Sequence, residues 1–351
     1  MLVTTNRRAA TGSADKGNAM IKSHFAAAGV RAALLVLAST PFQAAMAADE
    51  LCNRPVIELV VPWAAGGGTD AQARMIAPPL AERLGKQVVV VNRAGAGGVV
   101  GTTGFVNSAK PDGCTLIMAT GATNATAPYL FKDLKFAPLD DFTPIAFVAE
   151  SPNILFVRAD SPYKTVQDLV DAGRARPGAL TYASGGVGAS SHLAGALFVE
   201  KAGVVAVHVP YQGAAPAIAD LLGGQVDFSV DTGSQLGHVR AGKLRALAVA
   251  AQERIAALPD VPTFDEAGIN GVHYSFWGGV AGPKGLPASM VQRLNKDINA
   301  VVSSQKVRDY FLSNGSQLKE GLSPDAFKAF WRQDLERNER IVAASGATAG
   351  N

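Results

Sequence analysis

The sequence predicts an α/β fold made of two similar Rossmann-like lobes, joined by two hinge strands. Continuous apolar strands alternate with helical patterns over residues 56–119, as in parallel sheets that are buried on both faces. A second alternation of the same kind begins near residue 163. An extended apolar segment at 273–281 then returns the chain to the first unit. This order predicts a cleft between two lobes, which is the usual place for a ligand.

The first unit begins with a β-α-β-α-β series whose elements are bounded by glycine and proline. Its predicted elements are strand 56–61, helix 70–84, strand 88–91, helix 101–109 and strand 116–119. Gly85 ends the first helix, and Pro78 and Pro79 are expected to kink it. Two further strands are predicted at 145–148 and 154–157.

The second unit repeats the alternation and contains a second glycine loop. Its predicted elements are helix 165–174, strand 180–183, loop 185–188, helix 190–202, strand 205–209, helix 213–223, strand 226–230 and strand 244–250. Residues 287–341 are largely helical, with a helix start at Ser323 and Pro324. The predicted boundaries are 48–152 and 276–351 for lobe 1, and 153–275 for lobe 2.

Residues 1–47 have the pattern of a secretory signal peptide with an N-terminal extension. Lys22 and Arg31 precede an apolar run, and the small residues Ala45 and Ala47 mark a cleavage site after Ala47. Removing this segment removes five basic residues and one acidic residue, so the net charge of +3 becomes −1. We therefore expect an exported, periplasmic protein that does not bind nucleic acid, because the basic balance lies in the segment that is lost.

The glycine-rich and histidine-containing motifs do not support an enzyme. GAGGVVG has Val100 where a dinucleotide-binding loop needs its third glycine, and GVGASS has Ser191 there. No G-x-S-x-G nucleophile motif occurs, and the histidines lack the spacing of metal ligands. The sequence therefore predicts no catalysis, no metal and no cofactor.

Two glycine loops, one in each unit, follow a strand and precede a helix. GGGTD opens the helix after residue 69, and GGVGASSHL opens the helix from residue 190. Glycine leaves backbone N–H groups exposed at the positive end of each helix, an arrangement that suits an anion. Neither loop contains lysine or arginine, so neutral donors favour a carboxylate. Tight turns alone would explain a single loop, but the duplication favours a binding site.

Several blocks, in one order along residues 55–341, resemble a known family. They include VPWAAGGGTD, NRAGAGGVVG, AKPDGCTL, LTYASGGVGASSHLAG, VPYQGAAPAIADLLGGQVDF and AGKLRALAV. They are similar to the extracytoplasmic solute-binding proteins of tripartite tricarboxylate transporters, of the Bug or TctC type. The resemblance implies a type II periplasmic binding protein that closes two lobes over a small carboxylate. It also implies delivery of that ligand to the membrane permease subunits of such a transporter.

The resemblance further implies a set of ligand-binding residues in both lobes. Those in lobe 1 are Trp63, Ala64, Gly67, Thr69, Asp70, Thr120, Gly121 and Thr123. Those in lobe 2 are Ser184, Gly188, Ser190, Ser191, His192, Tyr211, Gly213 and Asp231. An ionised Asp70 cannot face a carboxylate directly, so we interpret it as the helix N-cap, holding an ordered water. Trp63 stands where relatives usually have phenylalanine, which leaves the ligand size open.

The sequence does not choose among dicarboxylates, tricarboxylates and aromatic acids. Trp63 with Phe276 and Trp277 favours a flat or aromatic acid, unless these rings only pack at the hinge. A monomer is expected. Two other functions stay open, a ligand receptor that signals to a membrane sensor and a secreted α/β hydrolase.

The two cysteines are predicted to form a disulfide. Cys52 lies just before the first strand, and Cys114 begins the third. In a doubly wound sheet of order 2-1-3 these strands are parallel neighbours about 4.8 Å apart, within the Cα separation that a disulfide accepts. An exported chain with an even number of cysteines favours the same pairing. Two buried free thiols are the alternative.

Overall fold

The computed structural model describes residues 51–345, which belong to one compact unit. The predicted signal peptide, residues 1–47, lies outside the described residues. The strands are β1 Val56–Val61, β2 Gln87–Asn92, β3 Thr115–Thr120, β4 Phe142–Pro152, β5 Ile154–Arg158, β6 Leu180–Ser184, β7 Ala206–Pro210, β8 Phe228–Asp231, β9 Leu244–Val249 and β10 Ser275–Pro283. The helices are α1 Gly68–Leu84, α2 Val99–Ser108, α3 Ala127–Leu130, α4 Val166–Ala175, α5 Ser190–Ala202, α6 Ala214–Leu222, α7 Leu236–Arg240, α8 Ala288–Val302, α9 Gln305–Ser313 and α10 Pro324–Ser345.

The strands form two five-stranded sheets, and each sheet with its helices is one lobe. The sheet of lobe 1 has the order β2-β1-β3-β10-β4, and that of lobe 2 has the order β7-β6-β8-β5-β9. In each sheet three neighbouring strands are parallel, and the next strand of the sheet, β10 in lobe 1 and β5 in lobe 2, is antiparallel to them. The predicted two-lobed α/β fold and the predicted 2-1-3 order are confirmed.

Both sheets are covered on both faces, as continuous apolar strands require. In β1, Leu59 and Val61 belong to one core cluster, and Val60, which points to the opposite face, belongs to another. In β5, the neighbouring residues Ile154 and Leu155 likewise belong to two different core clusters, one on each face of the lobe 2 sheet. Each sheet is therefore the buried middle layer of its lobe.

Helix α1 runs as a single helix through Pro78 and Pro79, where we predicted a kink. It ends at Gly85, which has the left-handed conformation (φ 64°). The predicted start of α10 is confirmed, because Ser323 Oγ accepts a hydrogen bond from the N–H of Ala326.

The disulfide between Cys52 and Cys114 is present, with a Cα separation of 4.6 Å. The backbone N–H of Cys52 donates to the carbonyl of Asp112, and the carbonyl of Cys114 accepts from Glu58. The bridge is fully buried in the core of lobe 1. It lies at the amino ends of β1 and β3, the edge opposite the glycine loops.

The chain connects the lobes at Asn153, between β4 and β5, and again between β9 and β10. The two connections touch, because the N–H of Asn153 donates to the carbonyl of Tyr274 and its carbonyl accepts from Ala250. Helix α10 adds a link that we did not predict. Its Trp331 packs in the core of lobe 1, whereas its Val342 packs in the core of lobe 2. The lobe boundaries given above therefore stay a prediction.

Candidate functional site

The cleft between the lobes contains two adjoining chambers. The inner chamber has a volume of about 50 Å³. Its lining residues are Trp63, Ala64, Gly67, Gly68, Thr69, Thr120, Ala122, Gly185, Ala189, Ser190, Ser191, Gly213, Ala214, Asp231, Thr232 and Phe276. The outer chamber has a volume of about 240 Å³. Its lining residues are Trp63, Ala64, Ala94, Gly95, Ala96, Gly97, Gly98, Phe131, Gly185, Gly186, Val187, Pro210, Tyr211 and Gln212.

Three helix N-termini of the described structure meet at the inner chamber. Helices α1, α5 and α6 begin after Gly67, Ala189 and Gly213, and none of these three ends has a side-chain cap within residues 51–345. The first N–H groups of a helix have no partner inside the helix, and its N-terminus carries about half a positive charge. The chamber is therefore a concentrated set of neutral hydrogen-bond donors with a positive potential.

The third of these helix ends was missing from our sequence prediction of anion loops. Gly213 was among the predicted ligand-binding residues, but the helix after it begins with alanines. It lacks the Ser or Thr hydroxyls that marked the other two loops as anion sites. Gly213 has φ 124°, a conformation that favours glycine. A Cβ added there would lie 2.9 Å from the Cβ of Ala64 in lobe 1. This glycine therefore lets the two lobes come together at the chamber.

The lobes also meet at the outer chamber, through the glycine segment that precedes α2. A Cβ added at Gly97 would lie 2.3 Å from the carbonyl oxygen of Val187 in lobe 2. The segment has left-handed φ angles at Gly97 and Gly98, of 62° and 90°. Close backbone contact between the lobes therefore explains the need for glycine at position 97.

The glycine loop of lobe 1 is held by an ionic network outside the chamber. Asp70 accepts hydrogen bonds from the N–H of Gly66 at 3.0 Å, from Arg74 at 2.9 and 3.0 Å, and from Asn92 at 2.9 Å. Burial raises the pKa of Asp70, but the hydrogen bonds from Arg74, Gly66 and Asn92 outweigh it and hold that pKa below its usual value. Asp70 is thus an ionised anchor of the loop.

Our prediction that Asp70 is the N-cap of this helix was wrong. The N-cap position is held by Gly67, which has an extended backbone (φ −89°), and Asp70 lies three residues further on. Its carboxylate accepts hydrogen bonds from Gly66 and Arg74, and Asp70 does not line either chamber. An Asp at this position still favours the helix through the dipole, without facing the ligand space.

The glycine loop of lobe 2 is held by neutral groups. Ser191 Oγ accepts from the N–H of Gly185 at 2.9 Å, and His192 Nδ1 accepts from the N–H of Gly188 at 3.1 Å. Ser184 Oγ lies 2.6 Å from His208 Nε2, and the two imidazole rings stack with centroids 4.0 Å apart. Burial lowers the pKa of His192 to about 4 and that of His208 to about 3, so both rings are neutral at neutral pH.

Asp231 is the acidic residue of the inner chamber. Its Oδ1 accepts from the N–H of Thr232 at 2.6 Å, whereas its Oδ2 has no hydrogen-bond partner within the described residues. Burial raises the pKa of Asp231 to about 6. Of the described residues that line the two chambers, none is a lysine or an arginine.

The predicted site residues divide into those that line the chambers and those behind them. Residues that line the inner chamber are Trp63, Ala64, Gly67, Thr69, Thr120, Ser190, Ser191, Gly213 and Asp231. Tyr211 lines the outer chamber, and its hydroxyl donates to Asp220 at 2.6 Å. Those that line neither chamber are Asp70, Gly121, Thr123, Ser184, Gly188 and His192. The last group shapes the loops rather than facing the ligand space.

Two of these supporting positions have clear packing roles. Thr123 Oγ1 lies 3.1 Å from Thr120 Oγ1 and donates to Asn124 Oδ1 at 2.6 Å, so it orients a lining residue. A Cβ added at Gly121 would lie 2.9 Å from Trp277 Nε1, so this glycine is needed for close packing.

Trp277 does not belong to the ligand space, contrary to the role we considered for it. It is fully buried among the aromatic rings of lobe 1, and its Nε1 donates to Asp334 on α10 at 2.6 Å. Phe276 precedes it in β10 and points the other way, into the inner chamber. The alternation of side chains along a strand explains this outcome and could have been used to predict it.

The described residues contain no group of three or more histidine, cysteine, aspartate or glutamate side chains placed to hold a metal ion. Within the same residues, no helix combines the length and apolar character needed to cross a membrane.

A family model described as "Tripartite tricarboxylate transporter family receptor" matches residues 72–347. The chain belongs to this family. The family is one of solute-binding receptors, so this receptor is not an enzyme. The match includes lobe 2 and most of lobe 1, and it begins after β1 and after the glycine loop that contains Trp63, Gly67 and Thr69.

Similar proteins include one curated relative and two solved structures. Protein BugT of Bordetella pertussis is 34% identical over 89% of this receptor and 96% of its own length. MatC from Rhodopseudomonas palustris, solved with bound malate, is 32% identical with a TM-score of 0.78, over 82% of this receptor and 98% of that chain. R. palustris Rpa4515, solved with adipate, is 32% identical with a TM-score of 0.80, over 83% of this receptor and 97% of that chain.

Proposed function

We propose that this receptor captures a small carboxylate, with one carboxylate group held in the inner chamber. The observation that carries the proposal is the convergence of the N-termini of α1, α5 and α6 on that chamber. Each N-terminus offers backbone donors and a partial positive charge, which favour a bound anion. Because none of the described residues that line the chamber is cationic, the charge would be met by backbone N–H groups and by the hydroxyls of Thr69, Ser190 and Ser191.

The sizes of the two chambers support an aliphatic dicarboxylate. A water molecule needs about 10 to 15 Å³ of such space, so the inner chamber of about 50 Å³ has room for one carboxylate group. The rest of a ligand would extend into the larger outer chamber. Trp63 lines both chambers, and its buried Nε1 has no partner within the described residues. This N–H would donate to an oxygen further along the ligand.

An aromatic acid has less support than the sequence suggested. Of the three rings that favoured it, Trp277 lies in the core, and only Trp63 and Phe276 face the ligand space. Malate and adipate, bound by the two solved relatives, are both dicarboxylates. We therefore take these two acids as the first probes.

The protein would work in the periplasm as a monomer, after cleavage behind Ala47, and would present its ligand to the permease subunits of a tripartite tricarboxylate transporter. Loops of both lobes line the ligand space and meet at Gly213 and Gly97. Ligand release therefore requires the lobes to separate at the connections around Asn153. The permease subunits would then distinguish the closed, ligand-bound protein from the open, ligand-free protein.

A thermal-shift screen of the mature protein tests this proposal. Malate, adipate, citrate, aspartate and benzoate would be added at rising concentrations. At a hundredfold excess over Kd a ligand adds about 2.7 kcal/mol, and the melting temperature rises by about 2 to 4 °C for each kcal/mol. We expect a shift of that size for at least one dicarboxylate.

Gly67→Val is the matched control for this screen. The extended backbone of Gly67 accepts valine without strain, but the side chain would occupy the inner chamber. The variant should fold and show no shift with the acid that stabilises the wild type. A screen in which no carboxylate stabilises the wild type would overturn the proposed function.

A further inference from the structure

Asp231 places an acidic group where the proposed function places an anion. It ends β8 with only 3% of its surface exposed, and it lines the inner chamber together with Ser190 and Ser191. Its Oδ2 has no hydrogen-bond partner within the described residues. A buried polar atom without a partner is costly, so this oxygen is expected to meet a donor when the chamber is filled.

Within residues 51–345, every cation on the elements around Asp231 is paired with another group or lies away from it. The titratable and charged groups on β5, β6, β7, α1, α5 and α6 are Arg158, Tyr182, His208, Asp70, Arg74, Arg83, Glu82, His192, Glu200, Lys201 and Asp220. Arg158 lies at the far end of β5, since Ile154 pairs with Asp231, and it bonds Asp160. Arg74 is held by Asp70, Arg83 pairs with Asp297 and Lys201 pairs with Glu200. Burial keeps His192 and His208 neutral.

A ligand carboxylate in this chamber would bring two carboxyl groups into one small, buried space. Two ionised carboxylates that share such a site repel each other, and one proton held between them removes the repulsion. A protonated carboxyl is a hydrogen-bond donor, so the orphaned Oδ2 would then donate to the ligand. This step rests on the proposed function, because it requires a carboxylate in the inner chamber.

We propose that Asp231 and the ligand carboxylate share one proton in the inner chamber, so that ligand capture takes up a proton from solvent. No other bond forms or breaks. The proton belongs to the pair rather than to either group.

The ionisation of the ligand-free protein sets the pH range of the effect. Burial raises the pKa of Asp231 to about 6, so above pH 6 this carboxyl is mostly deprotonated in the ligand-free protein. Binding must then recover a proton, so affinity falls as the pH rises above about 6. The loss is at most about tenfold for each pH unit, and it ends at the pKa of the bound pair.

Isothermal titration calorimetry with malate and adipate tests the proposal. Each acid would be titrated at about pH 6.5, 7.5 and 8.5, where both are ionised, each time in two buffers that titrate near that pH and contain neither carboxylate nor phosphate. These buffers differ in ionisation enthalpy, so the difference in observed heat gives the number of protons taken up. For the acid that binds, we expect the uptake to approach one proton at the pH values that lie between about 6 and the pKa of the bound pair, with a weaker Kd at each of those steps.

Two variants complete the experiment. Asp231→Asn supplies an amide donor that does not titrate, so it should abolish the proton uptake and bind more tightly than the wild type at the highest pH. Asp171→Asn removes an exposed carboxylate from α4 of the same lobe and should behave as the wild type.

The outcomes separate this inference from the proposed function. Binding without proton uptake, or an Asp231→Asn variant with the pH dependence of the wild type, overturns the shared proton and leaves carboxylate binding intact. Tight binding of aspartate that Asp231→Asn abolishes would also overturn it, because the carboxylate would then pair with an ammonium group. Failure of every carboxylate to bind overturns the proposed function and this inference together.

Discussion

The two lobes hold their ligand-facing loops in different ways. In lobe 1 the ionised Asp70 joins Gly66, Arg74 and Asn92, and the same sheet is tied at its other edge by a disulfide. In lobe 2 the loop depends on neutral hydroxyls and on two stacked histidines. The two similar glycine loops are therefore held in place by an ionic network in lobe 1 and by a neutral network in lobe 2. We expect the two lobes to respond differently to acid and to reduction.

Reduction of the disulfide is expected to have the largest effect on stability, and only in lobe 1. Cys52 and Cys114 are separated by 62 positions, so their bridge is worth about 4 kcal/mol on the chain-entropy model. The reduced protein should melt at a lower temperature but bind its ligand with unchanged affinity, because the bridge lies away from the chambers. Calorimetry with and without reductant measures both quantities. A large loss of affinity that appears without unfolding would contradict this separation.

Removing the ionic anchor of the lobe 1 loop should cost about 2 kcal/mol. Asp70→Ala deletes the acceptor of a charged hydrogen-bond network and leaves the N–H of Gly66 without its partner. Chemical denaturation measures the loss. The matched control is Arg74→Ala, which removes a half-exposed partner and should cost less than about 1 kcal/mol. Equal losses in the two variants would show that Asp70 acts only through its ion pair.

Ser191→Ala should weaken ligand binding by about tenfold, which corresponds to roughly 1.4 kcal/mol. Ser191 lines the inner chamber, and its hydroxyl also orients the N–H of Gly185. The control is Ser229→Ala in β8, whose buried hydroxyl bonds Ala183 and faces neither chamber. That variant should lose stability but keep its affinity. If Ser191→Ala instead loses stability alone, the hydroxyl only shapes the loop.

Acid should weaken the lobe 2 loop before it affects the lobe 1 loop. The pKa of His192 falls from about 6.5 unfolded to about 4 folded, so the folded state binds fewer protons and stability is lost as the pH falls through this window. At about pH 6 the loss for His192 is below 1 kcal/mol. Because the pKa of Asp70 is below its usual value, the stability that Asp70 contributes to lobe 1 is lost only at a lower pH.

Hydrogen exchange at Gly188 and Gly66 distinguishes the two loops, since each amide donates to its own support. Exchange, corrected for its intrinsic pH dependence, should lose protection first at Gly188. His192→Asn keeps an acceptor near Gly188 but does not titrate, so it should reduce this effect. Simultaneous loss of protection at both amides would show that the loops do not have separate supports.

Most of the fold could be predicted from the sequence because its signals are local. The apolar runs that predict β1 and β3, the 2-1-3 order and the export signal together favoured a bridge between Cys52 and Cys114 over two free thiols, and the disulfide is present. The positions of the two glycine loops could also be predicted, since a glycine cluster between a strand and a helix indicates a loop.

Apart from Trp277, the errors came from a misplaced helix start and from contacts between residues far apart in the chain. Asp70 matched an N-cap by residue type, but the helix begins earlier, at Gly68, so Asp70 lies in its first turn and bonds Gly66, Arg74 and Asn92. Val342 lies far along α10, and nothing local shows that it packs on lobe 2. The helix end after Gly213 has only alanine to mark it, so its convergence with the other two required the assembled lobes.

A crystal structure with bound malate or adipate tests the central claim most directly. We predict one carboxylate group in the inner chamber, with its oxygens about 2.7 to 3.2 Å from backbone N–H groups at the starts of α1, α5 and α6. A carboxylate bound outside this chamber, or one held by a lysine or arginine side chain, would contradict the account.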